Sequence, residues 1–95
     1  MTVEQFMAVL EGLAPTTLAE EWDNVGLLVG RGDQSVSKVL VALDLRDQVL
    51  DEAERLGCDL VLTHHPVIFP ALNAVTDATV TGRLVLRAAS AGIAI

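Results

Sequence analysis

Aromatic residues are nearly absent: there is no tyrosine, one tryptophan (Trp22) and two phenylalanines (Phe6 and Phe69) in 95 residues. The core must therefore come from Leu, Val, Ile and Ala, which suits helices layered on a sheet better than an aromatic-rich β-sandwich. The lone cysteine, Cys58, excludes an internal disulfide framework and fits a reducing compartment, where its expected role is that of an inert, buried side chain. Basic residues are scarce, six against thirteen acidic ones, and the formal charge of −7 repels phosphates instead of recruiting them, so no nucleic-acid partner is expected. The chain does not open with a basic segment followed by an apolar one. It also has no uncharged apolar stretch of bilayer length, so a cytoplasmic location without a membrane partner is expected.

Hydrophobic residues make up 52% of the chain, enough for a folded core. Thr2-Val3-Glu4-Gln5 has the form of a capping box. Val3, Phe6, Met7 and Leu10 then lie on one face of a helix that should end before Pro15. Thr16-Thr17 reads as the cap of a short helical turn over Leu18 to Glu21. Val25 to Gly30 is short, apolar and bounded by glycine, so it is expected to be a strand, with Arg31 to Ser35 turning after it. The Arg31-Gly32-Asp33 triplet inside that turn is a chance occurrence, since nothing else in the chain is extracellular in character.

Lys38 to Asp44 is a nearly continuous apolar run of the kind a strand has when helices cover both its faces. Leu45, Val49, Leu50, Ala53 and Leu56 mark a helix stripe that Gly57 should cap, and Asp59 to Thr63 returns to strand character. Strand, helix and strand make a βαβ unit with an expected right-handed crossover. Val67 to Asn73, with Pro66 and Pro70 close by, reads as a packed loop. Val80, Leu84, Ala88 and Ala91 predict a last helix ended by Gly92. Ile93-Ala94-Ile95 has the look of a strand just begun, so residues 1–95 are expected to be the N-terminal portion of a longer single domain, interrupted within the strand at 93–95. The fold class is α/β, a βαβ-containing layered fold with helices packed on a mixed sheet.

Thr63-His64-His65-Pro66 places two imidazoles where the second strand of the βαβ unit runs out, and open α/β sheets bind ligands beyond the carboxyl ends of their strands. Imidazole suits Zn, Fe, Ni, Mn or Co. Adjacent strand residues point to opposite faces, so one ion takes both rings only if the chain turns there, as Pro66 suggests; otherwise the rings serve two ions. The competing account buries one histidine in a hydrogen bond and leaves the other solvated. A metal ordinarily needs three protein ligands, and there is no third histidine. Asp23, Asp44 and Asp77 are candidates by type; Asp44 is the best placed, at the end of a strand, where it also qualifies as the N-cap of the following helix. Trp22-Asp23-Asn24-Val25-Gly26 reads as a hydrophobic anchor, an Asx turn and a permissive glycine before a strand.

Glu21 to Leu27, Val41-Ala42-Leu43-Asp44 and Thr63-His64-His65-Pro66-Val67-Ile68-Phe69 together resemble the opening of the GTP cyclohydrolase I type two homologues, or Nif-three-like proteins. The resemblance implies a dinuclear divalent-metal site in a cleft, with His64 and His65 serving different ions. It also implies a homo-oligomeric toroid, usually a hexamer, and either metal-dependent hydrolysis of a nucleotide or other small molecule or a non-catalytic regulatory role. The family's next metal-binding element follows a Gly-Ile-Ala-aliphatic strand, and a further His and a bridging Glu lie far downstream; none has a counterpart in these residues, so an isolated chain of this length is expected to be inactive.

Overall fold

The computed structural model describes residues 1–20 and 23–95. Helix α1 (Val3–Leu13), strand β1 (Val39–Ala42), helix α2 (Asp47–Leu56), strand β2 (Leu60–Thr63) and helix α3 (Val80–Ala91) follow in that order, with one 3₁₀ turn at Thr16–Leu18. Each helix has its chemical punctuation. Thr2 and Gln5 cap α1 reciprocally: Gln5 N donates to Thr2 Oγ1 (3.2 Å) and Thr2 N to Gln5 Oε1 (2.8 Å). Thr79 Oγ1 accepts from Gly82 N at the start of α3. Helices α2 and α3 both end on a glycine in the left-handed region, Gly57 at φ 70° and Gly92 at φ 71°, where a side chain would be strained.

The strands pair in parallel, Val39 with Leu60 through Ala42 with Thr63. On the other side of β2, Leu60 forms a single parallel bridge with Ala94, outside the two-stranded sheet. Side chains alternate across β2. Val61 joins Leu50, Ala53, Leu84 and Ala88 in a core beneath α2 and α3, together with the buried thiol of Cys58. Leu60 and Leu62 face α1, where Val3, Val36 and Ala94 complete a second core with Phe6 and Met7 packed on it. The layered α/β expectation holds, and among the described residues no helix is long and apolar enough to cross a membrane.

Three local expectations change. Val25–Gly30 is not a strand: Leu28 N and Val29 N donate to Ile95 O and Ile95 N donates to Val29 O, but that pairing with one residue is too short for a ladder. β1 is covered fully on one face and in part on the other: Leu40 packs on the α2–α3 core and Val39 on the α1-side core, while Val41, on the same face as Val39, is 71% exposed. The turn after Pro15 occupies Thr16–Leu18 instead of Leu18 to Glu21, and Pro15, not a threonine, is its N-cap; Glu21 and the anchor assigned to Trp22 lie outside the described residues.

Asp59 pins the start of the sheet. Its Oδ2 accepts from Ser37 N, Lys38 N and the Ser37 hydroxyl, and its own N donates to Lys38 O. Its carbonyl accepts from Ala94 N and the Gln34 side-chain amide. These donors, the two backbone N–H groups first, hold its carboxyl below the usual carboxylate value. A depressed folded pKa contributes stability that is fully present above the unfolded value of about 3.9 and is lost as pH falls through the folded value. Melting temperature measured from pH 7 to pH 2 should therefore fall less steeply on the acid side in Asp59→Asn than in the unsubstituted chain; equal slopes would deny Asp59 this role. Leu50 is fully buried, and Leu50→Ala should cost about 2–5 kcal/mol in chemical denaturation.

Candidate functional site

The β1–β2 pairing runs past the strands: His64 N donates to Ala42 O (3.2 Å) and His65 N to Leu43 O (3.0 Å). In a regular strand only alternate residues bond to the same neighbour, so two consecutive donors require a bend, and the backbone bends at both histidines before Pro66. The Thr63 hydroxyl fixes the bend by donating to His65 O at 2.7 Å. The imidazoles are thereby kept together instead of being sent to opposite faces, with centroids 4.8 Å apart and planes at 53°. Both residues are exposed.

Asp44 sits beside them. Its Oδ1 is 2.7 Å from His65 Nδ1, and Arg46 Nη2 is 3.6 Å from its Oδ2. The His65 hydrogen bond above all, with the charges of His65 and Arg46, holds the Asp44 carboxyl below the ordinary carboxylate range despite partial burial. An ionised carboxylate only accepts, so the proton of this contact is on His65 Nδ1, and in the neutral ring Nε2 keeps its lone pair for another partner. Asp44 is not the N-cap of α2; that position belongs to Arg46, whose side chain makes no capping bond. Its carboxylate is engaged by His65 instead.

Asp23 also belongs to this region. Half-buried, it lines a cavity of about 410 Å³ with His64, His65, Pro66 and Phe69. Its Oδ1 accepts from Asn24 N at 2.8 Å, and the Asn24 side-chain amide donates to Ile68 O, a link across 44 residues that local sequence pattern does not signal. A second cavity of about 470 Å³ leads from Thr63 and His64 along the apolar face of α1, past Phe6, Met7 and Leu10. Asp77 lies in the exposed turn before α3 and lines neither cavity.

The donor chemistry fits a divalent ion in kind. Two accessible imidazoles stand together, one held through Nδ1 by a carboxylate, the arrangement that orients metal-binding histidines. In number the donors fall short, since among the described residues no three His, Cys, Asp or Glu side chains converge in a way that could hold an ion.

A profile of the Duf34/NIF3 (NGG1p interacting factor 3) family matches residues 1–95. The chain belongs to this family. Among curated Duf34/NIF3 relatives, the "GTP cyclohydrolase 1 type 2 homolog" of Lactococcus lactis is 44% identical over 95 residues, covering 100% of this chain and 37% of that protein. The protein of the same name from Clostridium perfringens is 38% identical over 86 residues, covering 90% of this chain and 33% of its own. This Duf34/NIF3 chain thus spans about a third of the length of the curated relatives it matches. Among solved structures, a hypothetical protein of Staphylococcus aureus superposes with a TM-score of 0.93 at 35% identity, over 99% of this chain and 27% of that one. Reduced HcgD from Methanocaldococcus jannaschii gives 0.86 at 32% identity, over 99% and 38%.

The Asp44–His65 contact makes a direct prediction for this Duf34/NIF3 chain. Nitrogen NMR at neutral pH should find His65 in the Nδ1–H form, and Asp44→Ala should turn it into a mixture of both tautomers while leaving His64 unchanged. A His65 tautomer insensitive to Asp44 would show that the contact does not orient the ring.

Proposed function

We propose that His64 and His65 are the first ligands of a dinuclear divalent-metal site, and that the complete protein is a metal-dependent hydrolase of the kind its relatives' name, GTP cyclohydrolase 1 type 2 homolog, describes. The observation that carries the proposal is the pair of adjacent, accessible imidazoles with His65 Nδ1 bonded to the Asp44 carboxylate at 2.7 Å. Zn, Fe, Mn, Co or Ni suits these nitrogens. Such ions supply Lewis acidity to hydrolysis. What the chain itself does is defined by its own groups: Asp44 holds the ring and tautomer of His65, the Thr63 hydroxyl holds the bend, and the 410 Å³ cavity gives a small molecule access to both rings.

With only two nitrogen donors brought together, the centre needs further ligands, which we assign to the part of the family's length that this chain does not span. In keeping with the family resemblance, the complete protein is proposed to be a cytoplasmic homo-oligomer, a hexameric toroid, that acts on a nucleotide or a related small molecule. A second reading, a non-catalytic metal-binding regulator, is favoured by the family's own description as an interacting factor.

Metal content per chain after incubation with Zn, Mn, Fe or Co and thorough exchange tests the proposal. Weak, substoichiometric binding that a His64→Ala, His65→Ala double variant abolishes is expected, with Asp44→Ala weakening it by roughly tenfold or more. Undiminished binding in the double variant would exclude the histidines, and tight binding of two ions would mean that Asp23, Asp44 or a second copy completes the site. In the complete protein the hydrolase reading expects GTP turnover that stops when either histidine is replaced; metal binding without turnover favours the regulator.

A further inference from the structure

Backbone bonds to β1 and the Thr63 hydroxyl fix the histidine loop as far as His65. Beyond that point the chain has no helix or strand until Val80, and Pro66 and Pro70 bring no N–H with which to make one. Val67 packs on the α2–α3 core, and Ile68 is half-buried. The Ile68 carbonyl accepts from the side-chain amide of half-buried Asn24. Asn24 is itself steadied by its backbone bond to Asp23, and the two residues line a cavity wall together with His64 and Pro66. The histidine loop is thus held at both ends, by the sheet before His65 and by a side chain three residues after it.

We propose that Asn24 is a positioning residue for the metal site: by bonding to the Ile68 carbonyl it fixes the loop that leaves His65, and with it the angle at which the two imidazoles present their free nitrogens. The proposal rests on the metal-binding reading above. It differs from a packing role because the partner is a backbone carbonyl on the loop that carries the ligands, and because removing the donor takes from that carbonyl the bond that Asn24 supplies. Asn24→Asp keeps the size of the side chain but replaces the donor with an acceptor facing the carbonyl, whereas Asn24→Gln keeps the amide on a longer stem.

The test is a cobalt(II) titration of the 95-residue chain, read by visible ligand-field absorption at a temperature well below the melting point of each variant. Asn24→Ala and Asn24→Asp should both bind cobalt about 10–100-fold more weakly and with an altered spectrum, and Asn24→Gln should recover part of the loss. Wild-type affinity and spectrum in Asn24→Ala and Asn24→Asp, even with lowered melting points, would overturn this inference alone and leave Asn24 a structural residue. Failure of the unsubstituted chain to bind cobalt would overturn it together with the metal-binding reading.

Discussion

The parallel register of β1 and β2 is the constraint on which the rest depends. Val39 pairs with Leu60 and Ala42 with Thr63, each residue facing the one 21 positions later. Continued past the strands, the same offset sets Leu43 against His64 and Asp44 against His65, and the Asp44–His65 bond spans that separation of 21. A slip of one residue would send β2's side chains to the opposite faces, breaking both cores, and would put Leu43 or Leu45 where the carboxylate is needed. Asp59 guards the register at the other end, where one residue ties the start of β1, the start of β2 and the chain at Ala94. The polar pins therefore stand at the two ends of the ladder, with the apolar side chains of Leu60, Val61 and Leu62 between them.

That arrangement explains which features were legible in the sequence. Caps and apolar periods are local, so α1, α2 and α3 could be read from Thr2, Gln5, Gly57, Gly92 and the spacing of their Leu, Val and Ala residues. The turn at His64-His65 was legible for the same reason, because Pro66 restricts the residue before it. What failed depended on partners distant in sequence. Val25 to Gly30 has the composition of a strand, yet a strand exists only where a neighbour runs alongside, and its pairing reaches just Ile95. Asp44 has the type and place of an N-cap, and only the β1–β2 register shows that His65 claims it. The Asn24–Ile68 bond had no local signal at all, since side-chain amides carry no periodicity.

Charge placement bears on what the histidine cavity can hold. All six basic residues are engaged away from it or at its margin. Arg87 alone reaches Asp47, Asp51 and Glu54 and ties α3 to α2, while Arg31 pairs with Asp33, Arg55 with Glu52 and Arg83 with Asp47. Lys38 donates to Leu56 O. Only Arg46 stands near the site, and it touches the far oxygen of Asp44. These exposed pairs add little stability individually, but they leave the cavity wall with Asp23 and two neutral-capable imidazoles. Such a wall disfavours an anion bound alone and suits a cation, or an anion that arrives with cations already in place.

Exposure of the imidazoles follows from how they are held. A buried histidine pair would need hydrogen-bond partners for all four ring nitrogens and would have to meet the cost of desolvation in whichever charge state it adopted. Here the backbone does the placing: two N–H bonds to β1, a hydroxyl on the His65 carbonyl and one carboxylate on Nδ1 fix the bend and one ring, and the rings themselves stay open to solvent. Precision is supplied by the sheet and access by the loop. The open part of β1 at Val41 and the apolar cavity along α1 lie on the side of the sheet away from α2 and α3. Val41 and Ala42 line that cavity together with Thr63 and His64, so the open part of β1 and the approach to His64 from the α1 side are one surface.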